Sequence, residues 1–353
     1  MKNLLFILIS ILSVFTACKN GETEQQTEQT QQTDSTTIQP KFITDTTAYD
    51  TDDPAIWVHP TDASKSLIIG TDKNKDGALY VYNLEGKIVN RVGNLQRPNN
   101  VDIEYGLPFG NDTIDIAVTT ERLTHKLRVF KLPEMTPIDN GGIEVFQGET
   151  AEEFRDLMGI ALYRNPENGK IYAIVGRKDG PAIGYLWQYE LSANNGKSVE
   201  GQLVRKFGQY SQNNEIEAIA VDDKMGFVYY SDEGIGVKKY YANPEKGDEE
   251  LSLFAQEGFA DDHEGISIYP TSDSTGYILV SDQQSDYFRV FKREGDNEFI
   301  TTLPFATKES DGSDCSSVPF NADFKKGIFV AMSEGKTFHI YDWETIENRI
   351  LGK

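Results

Sequence analysis

The chain has 353 residues, with 34 lysines and arginines against 56 aspartates and glutamates, and its net charge is −22 at neutral pH. Such an acidic chain excludes a nucleic-acid groove driven by counterion release, and it argues against docking on anionic lipid through a basic patch. Only 38% of the residues are hydrophobic, but aromatic residues reach 11% and can fill a core. Two cysteines, Cys18 and Cys315, offer no disulfide framework.

Residues 1–17 have the features of a secretory signal peptide. Lys2 precedes an apolar run from Leu4 to Phe15, which is too short to span a bilayer comfortably, and small residues follow it. Cys18 comes next, and the residues before it resemble the cleavage box of bacterial lipoproteins, in which the cysteine becomes the lipidated first residue. We therefore expect an extra-cytoplasmic lipoprotein of the outer membrane, on the periplasmic or surface face, that contacts the membrane only through Cys18. An ordinary signal peptide is the alternative.

Residues 19–40 are rich in Gln, Thr and Glu and contain a single aliphatic residue, Ile38. This composition buries too little apolar area to offset chain entropy, so residues 18–40 are predicted to form the lipidated cysteine and a flexible tether. The folded domain is predicted to span residues 41–353, and we expect it to be monomeric.

Six copies of one pattern fill this domain. Each copy has an apolar strand, a turn that contains glycine, a second apolar strand, and an alternating strand that ends in an aromatic residue. The alternation of the third strands predicts edge strands with one wet face, and each copy has room for a fourth strand. The anchor residues of the copies, 45 to 59 residues apart, are Ile56, Val101, Ile160, Ile219, Ile266 and Val318.

Repeats of this length with three or four strands are typical of propeller blades. Six copies predict an all-β fold, a six-bladed β-propeller, because neither a sandwich nor two β domains would explain the sixfold recurrence. The segment Lys41–Tyr49 is predicted to add a strand to the last blade and close the ring.

Polar residues follow the apolar strands at equivalent positions, so we expect them to converge at one rim of the central channel. Many carboxylates at one mouth repel each other, so either their pKa values rise or a hard cation neutralises them. Oxygen ligands with no Cys and few His favour Ca²⁺ or Mg²⁺, and irregular coordination favours Ca²⁺. This rim set contains Asp52, Asp53, Asp72, Lys73, Asn99, Asn100, Asp102, Glu121, Arg122, Arg177, Lys178, Glu215, Glu217, Asp232, Glu233, Asp261, Asp262, Glu264, Asp282, Gln283, Asp311 and Asp314.

Three bases of the rim set, Lys73, Arg122 and Lys178, follow the middle strands of the first three copies, whereas acids dominate the last three. A cleft with a cationic half and an acidic, metal-binding half fits a polyphosphate substrate, because bases and metal ions bind phosphoryl oxygens. The charge pattern alone leaves open that the rim is simply acidic and solvated. No nucleophile elbow, glycine-rich phosphate loop or Cys–His pair indicates covalent catalysis.

Six sequence strings, in their order and spacing, resemble the β-propeller phytases, which are six-bladed calcium-dependent phosphatases of myo-inositol hexakisphosphate (phytate). The strings span nearly the whole domain, from about residue 42 to residue 346, and the first string is long and specific. They are DTDDPAIWVHP at 50–60, IIGTDK at 68–73, NNVDI at 99–103, EAIAVDD at 217–223, EGISIY at 264–269 and GIFVA at 327–331.

The resemblance implies a 3-phytase-type phosphoric monoester hydrolase in which a calcium-activated water attacks phosphorus directly. It implies catalytic roles for residues that grip phosphate or surround the catalytic ions, namely Lys73, Arg122, Lys178, Glu217, Glu233 and Glu264. It also implies that several calcium ions are bound by Asp52, Asp53, Glu217, Glu233, Glu264, Gln283 and Asp314.

Three departures from the family pattern qualify these roles. Ser316 and Ser317 stand where the acid-rich loop of the last blade has another Asp and a Gly, which puts Asp314 in doubt as a ligand. Met158 stands where a phosphate-contacting Tyr is expected, and the loop at 332–337 is contracted, which puts one structural calcium in doubt. Two other functions therefore stay open: a catalytically weak propeller that binds calcium and a phosphorylated or carbohydrate ligand, and a phosphatase of other phosphate esters.

Overall fold

The computed structural model describes residues 36–194 and 196–353. The predicted signal peptide at 1–17, the predicted lipidation site at Cys18 and the predicted tether up to residue 35 lie outside the described residues. Within the described ranges, no helix combines the length and the apolar character that crossing a membrane requires.

Six antiparallel sheets follow one another along the chain, which confirms the predicted six-bladed β-propeller. Strand β1 (Phe42–Ile43) precedes the first blade, which contains β2 (Thr51–Trp57), β3 (Leu67–Asp72), β4 (Gly77–Tyr82) and β5 (Ile88–Leu95). The second blade contains β6 (Pro98–Phe109), β7 (Asp112–Glu121), β8 (Lys126–Lys131) and the short strands β9 (Thr136–Pro137) and β10 (Ile143–Glu144). The third blade contains β11 (Leu157–Arg164), β12 (Ile171–Arg177), β13 (Ile183–Asn194) and β14 (Ser198–Gln209).

The second half of the ring repeats this order. The fourth blade contains β15 (Ile219–Asp222), β16 (Phe227–Asp232), β17 (Gly236–Tyr241) and β18 (Ser252–Phe254). The fifth blade contains β19 (His263–Pro270), β20 (Gly276–Asp282), β21 (Tyr287–Lys292) and β22 (Phe299–Pro304). The sixth contains β23 (Ser313–Ser316), β24 (Ile328–Ser333) and β25 (Thr337–Asp342), and helix α1 (Trp343–Ile350) follows. Short 3-10 helices lie at Ala63–Lys65, Arg122–Thr124, Glu153–Arg155, Pro244–Lys246 and Gln283–Ser285.

The ring closes as the sequence predicts. Strand β1 pairs with β25 in the sixth blade, with Phe42 opposite Ile340 and Ile43 opposite His339. The outer strand of the last blade therefore comes from the beginning of the domain, so the two ends of the folded chain are joined by backbone hydrogen bonds.

The hydrophobic core is divided among the contacts between neighbouring blades. Six buried clusters occur in the described chain, and each draws its side chains from two adjacent sheets. The cluster between the first two blades, for example, joins Ile69 and Val81 to Val101 and Phe130. Because sheet faces pack against sheet faces around the whole ring, the mouth of the channel is built on a rigid frame.

One sequence expectation about the strands was wrong. The third strands are covered by a fourth strand, as β22 covers β21 through the pair Arg289–Thr302, so they are not edge strands. The fourth strands escaped detection because their exposed faces are polar and irregular, as in Ile88–Leu95, where most residues are exposed. A hydrophobic period does not mark such strands.

The packed part of the chain begins earlier than the predicted boundary at residue 41. Ile38 is only 2% exposed, it packs among side chains of the fifth and sixth blades, and its N–H donates to the carbonyl oxygen of Pro304. The Ile38 carbonyl in turn accepts from the N–H of Ala306 at 3.0 Å. Residues 36–40 therefore do not all belong to a tether.

Replacing Ile38 with alanine tests this boundary. Ile38→Ala should lower the free energy of unfolding by about 2–4 kcal/mol, because a buried isoleucine is lost and a cavity stays behind. Ile43→Ala is the matched control, since Ile43 is 50% exposed, and should change it by less than about 1 kcal/mol. Urea unfolding of both variants measures the difference; equal stabilities would show that the domain begins after Ile38.

Candidate active site

The described site lies at one end of the ring, here called the mouth, where the first strand of each blade begins and the second strand ends. Contacts between side chains from remote parts of the chain define it. Lys73 of the first blade lies 3.3 Å from Asp311 of the sixth blade, and Asn99 of the second blade lies 3.0 Å from Glu217 beside the fourth. Lys73, Asp311, Asn99 and Glu217 thus converge at one rim of the ring, as the sequence predicts for the rim residues.

Extra residues in the first strands shape the mouth. In four blades the pairing of the first and second strands shifts by one residue near the mouth, as a β-bulge does. A bulge breaks the simple alternation of side chains and re-aims them. The bulged pairs are Asp52–Asp53, Asn99–Asn100, Met158–Gly159 and Glu264–Gly265.

Three glutamates form the acidic centre of the mouth. Each of Glu217, Glu233 and Glu264 offers a carboxylate oxygen, and the three oxygens lie within 4.8 Å of one another. All the members are at least partly shielded from water by the surrounding loops, and Glu264 Oε2 has no hydrogen-bond partner among the described residues. Among the described residues, no other group of three Asp, Glu, His or Cys side chains lies close enough together to hold a metal ion.

Burial makes these glutamates hard to ionise together. It raises the pKa of Glu217 to about 7 and that of Glu233 to about 8, and repulsion between the carboxylates adds to the effect. The pKa of Glu264 also lies well above its usual range, for the same two reasons. The cluster must therefore keep protons near neutral pH or bind a cation.

The backbone around this cluster is held tightly. The N–H of Glu215 donates to Glu233 Oε2 at 3.2 Å, and the N–H of Glu233 donates to the Glu215 carbonyl at 3.1 Å. Gly159 lets strand β11 approach the same loop, because a Cβ at that position would lie 1.8 Å from the carbonyl oxygen of Glu217. The position of Glu217 thus depends on a glycine in another blade.

A second group joins the first and sixth blades. Lys73 is ion-paired with Asp52, and its Nζ lies 3.3 Å from Asp311 Oδ2. Asp311 also accepts a hydrogen bond from Gln283. Burial raises the pKa of Asp52 to about 7, although the nearby Lys73 charge opposes the shift.

Asn99 connects the two groups. Its Nδ2 donates to Asp52 Oδ2 at 3.2 Å and to Glu217 Oε1 at 3.0 Å, while its Oδ1 is buried without a hydrogen-bond partner among the described residues. The sequence placed Asn99 on the rim but gave it no role. In the structure it is the neutral bridge between two carboxylates.

The other predicted bases belong to the second and third blades. Arg122 Nε donates to the Leu157 carbonyl at 3.0 Å, and its guanidinium contacts the sulfur of Met158. Lys178 Nζ lies 2.8 Å from Glu215 Oε1 and is about half exposed, with 46% of its side-chain surface in solvent. The three predicted bases thus surround the glutamate cluster from the first three blades, and Met158 contributes no hydroxyl to it.

Two predicted ligands make contacts between blades. Asp53 and Asp314 line the central cavity of about 400 Å³ inside the ring, as Asp311 also does. Asp53 Oδ2 accepts from the N–H of Val101 at 3.0 Å, and Asp314 Oδ2 accepts from the N–H of Ile56 at 2.8 Å. Neither belongs to the three-carboxylate cluster; each instead ties its own blade to the next one.

Asp311, and not Asp314, contacts the other polar side chains of the group around Lys73. It reaches Lys73 directly, and Gly312 follows it where any Cβ would lie 2.3 Å from Asp53 Oδ1. Asp311 and Gly312 thus precede the first strand of the sixth blade, whereas Ser316 ends that strand and Ser317 follows it. The Asp-Gly pair was the sequence signal that could have identified this residue.

Several other acids of the rim set serve the loops and not the mouth. Asp72 Oδ1 accepts from the N–H groups of Tyr49 and Asp50, and Asp282 Oδ1 accepts from that of Ala260. Glu121 and Asp232 hold the loop before the first strand of their own blade in the same way, through Gln96 and Ser211. Arg177 ends the second strand of the third blade, as these acids do in theirs. It holds the loop as a donor and not as an acceptor, because its guanidinium donates to the Phe154 carbonyl.

The fold and the site together define a class: a six-bladed β-propeller whose mouth sets a buried carboxylate cluster against lysine and arginine side chains. A family model described as Phytase matches residues 2–351, and the chain belongs to this phytase family.

Among curated proteins, a 3-phytase of Bacillus subtilis (strain 168) is 28% identical to the chain over 322 residues, which cover 85% of this chain and 81% of that protein. Two solved propellers are similar at 12% identity. One, described as "Structure of Dos1 propeller", has a TM-score of 0.45 and covers 83% of this chain and 68% of its own. The other, described as "Crystal structure of WD40 beta propeller domain of Doa1", has a TM-score of 0.48 and covers 86% of this chain and 96% of its own.

The raised pKa values predict an unusual pH dependence of stability when no divalent cation is present. Asp52, Glu217 and Glu233 have pKa values of about 7 to 8 in the folded state against 3.8 to 4.5 for ordinary carboxyl groups. The native state therefore keeps protons that the unfolded state releases, and the free energy of unfolding should fall as pH rises from about 5 to 8. Each group that keeps its proton contributes about 1.4 kcal/mol per pH unit.

Urea unfolding in EDTA at several pH values measures this slope. Glu233→Gln should make the slope smaller by the contribution of one titrating group. Glu85→Gln, which changes a residue in an exposed turn, should leave the slope unchanged. A free energy of unfolding that rises from pH 5 to 8 in the native chain would contradict the account.

Proposed function

We propose that the protein is a calcium-dependent phytase that releases inorganic phosphate from myo-inositol hexakisphosphate by direct attack of a metal-activated water. The observation that carries this proposal is the cluster of Glu217, Glu233 and Glu264 at the mouth, faced by Lys73, Arg122 and Lys178. Membership of the phytase family and the likeness to a 3-phytase support the substrate.

Charge arithmetic supports a cation in the reaction. The protein carries a net charge of −22, and a sugar-like polyol with many phosphate groups is also strongly anionic, so the two repel each other in the absence of cations. Three carboxylates within 4.8 Å of one another bring this repulsion to a single point. A divalent ion there would neutralise the site and attract the substrate.

The donor set favours calcium. Glu217, Glu233 and Glu264, together with Asp52 and Asp311 nearby, offer carboxylate oxygens only, and neither a cysteine nor a histidine belongs to the cluster. Such hard oxygen ligands fit Ca²⁺, which accepts six to eight of them in irregular geometry. Bound calcium would lower the pKa of a coordinated water and supply positive charge to the phosphoryl oxygens.

The side chains of the chain perform the other steps of the proposed mechanism. Arg122 and Lys178 bind phosphoryl oxygens of the substrate. Lys73 binds them too, while its ammonium group keeps its contacts with Asp52 and Asp311. Asn99 holds Asp52 and Glu217 in place through its two hydrogen bonds, and these two carboxylates would be available to a bound cation. No side chain is used as a nucleophile: the water oxygen forms a bond to phosphorus as the bond between phosphorus and the inositol oxygen breaks. The inositol oxygen takes up a proton, which the attacking water supplies, and leaves as a hydroxyl group, and inorganic phosphate is the second product.

The proposed place of action is outside the cytoplasm. The predicted signal peptide and the lipid on Cys18 would attach the propeller to the outer membrane, where exported phytate phosphatase activity can meet its substrate. Mass spectrometry of the mature protein would detect a lipidated amino-terminal Cys18.

Phosphate release from phytate, measured with calcium and with EDTA, tests the proposed activity. Calcium should support release and EDTA should abolish it. Glu217→Gln should lower kcat by about a hundredfold or more, since it removes a cation ligand and a cluster charge, and Glu85→Gln should be as active as the native chain. No release at any calcium concentration would indicate a binding module instead, and faster release from simple monoesters would indicate a phosphatase of other esters.

A further inference from the structure

A basic side chain outside the predicted site lies beside it. Arg97 occupies the short connection between β5 and β6, where the chain passes from the first blade to the second. Its N–H donates to the carbonyl of Asn74, the residue after Lys73, and its carbonyl accepts from the N–H of Arg122. Two backbone hydrogen bonds therefore fix Arg97 between two of the predicted phosphate-binding bases.

The backbone of Arg97 has a conformation that arginine disfavours. Its φ is 59°, in the left-handed region where Gly and Asn are the usual residues. A long, charged side chain at such a position costs stability, and strained residues of this kind concentrate at binding sites. The backbone conformation of the loop therefore does not favour arginine, which indicates that the side chain of Arg97 has a role of its own.

The charge of Arg97 is not neutralised by the protein. Lys73 is paired with Asp52 and Asp311, and Lys178 is paired with Glu215. Arg97 has no ion pair with any residue in the described ranges, and its buried Nε has no hydrogen-bond partner there. Its charge also helps to lower the pKa of Arg122, after burial. The hydrogen bond from the Arg122 N–H to the Arg97 carbonyl makes the two residues neighbours.

We propose that Arg97 and Arg122 form an arginine pair that binds the oxygens of one phosphoryl group of the substrate. Guanidinium groups bind tetrahedral oxyanions through parallel N–H donors, and two adjacent groups without acid partners are repelled by each other until an anion lies between them. The pair lies at the mouth next to the loop that follows Lys73, so this inference rests on the proposed phosphatase function and adds a binding residue to it.

Arg97→Gly gives a sharp test, because glycine suits the left-handed backbone. The variant should keep or slightly raise the Tm of the native protein, while its KM for phytate rises about tenfold or more and its kcat changes less than about threefold. Arg97→Lys keeps the charge without the planar fork and should have an intermediate KM. Arg91→Ala is the control, because Arg91 lies over the Tyr80 ring on an exposed strand and should be without effect.

A second measurement does not need turnover. Inorganic sulfate should bind the calcium-loaded native protein and the Arg91→Ala variant alike, and Arg97→Gly should bind it at least tenfold more weakly by isothermal titration calorimetry. If the native protein does not hydrolyse phytate, the proposed function fails, and the sulfate titration still decides the arginine pair. Equal sulfate affinity, an unchanged KM, or a clear loss of Tm in Arg97→Gly would overturn the pair and assign Arg97 a structural role.

Discussion

The site depends on one electrostatic constraint: carboxylates of the fourth and fifth blades are crowded together at one mouth, where they cannot all be ionised without a counter-charge. Glu217, Glu233 and Glu264 bring oxygens within 4.8 Å of one another, and burial and repulsion raise their pKa values. Protons can relieve this repulsion, but a divalent cation relieves it and also draws an anionic substrate to an anionic protein. The lysine side chains at the mouth contact acids of the same site, as Lys73 does with Asp52 and Lys178 with Glu215.

The propeller makes this crowding possible because each blade delivers its loops to the same end of the ring. Inter-blade packing and ring closure by β1 provide the rigidity, and carboxylates such as Asp72 and Asp282 fix the loops before the first strands. Bulges at Asp52–Asp53 and Glu264–Gly265 then turn particular side chains toward the mouth. Acids thus have three tasks in one molecule: they fix loops, connect blades and form the proposed cation site.

The sequence was sufficient for the repeat, the six blades and the closing strand, since these depend on hydrophobic pattern. It also predicted that the polar rim residues converge, and the family resemblance assigned Glu217, Glu233 and Glu264 to the calcium ions. It did not show that Asp53 and Asp314 accept from backbone N–H groups of a neighbouring blade, whereas Asp52 and Asp311 contact Lys73. Bulges and strand register decide where the side chains of neighbouring acids point, and the hydrophobic pattern of the sequence does not reveal either. Arg97 was missed because its position between Asn74 and Arg122 is set by backbone hydrogen bonds between loops.

The most direct test of the central claim is a crystal structure of the protein grown with calcium, with the ions located by anomalous scattering. The account predicts a calcium peak about 2.3–2.6 Å from carboxylate oxygens of Glu217, Glu233 and Glu264. Calcium peaks found only elsewhere, with these three side chains pointing apart, would contradict it.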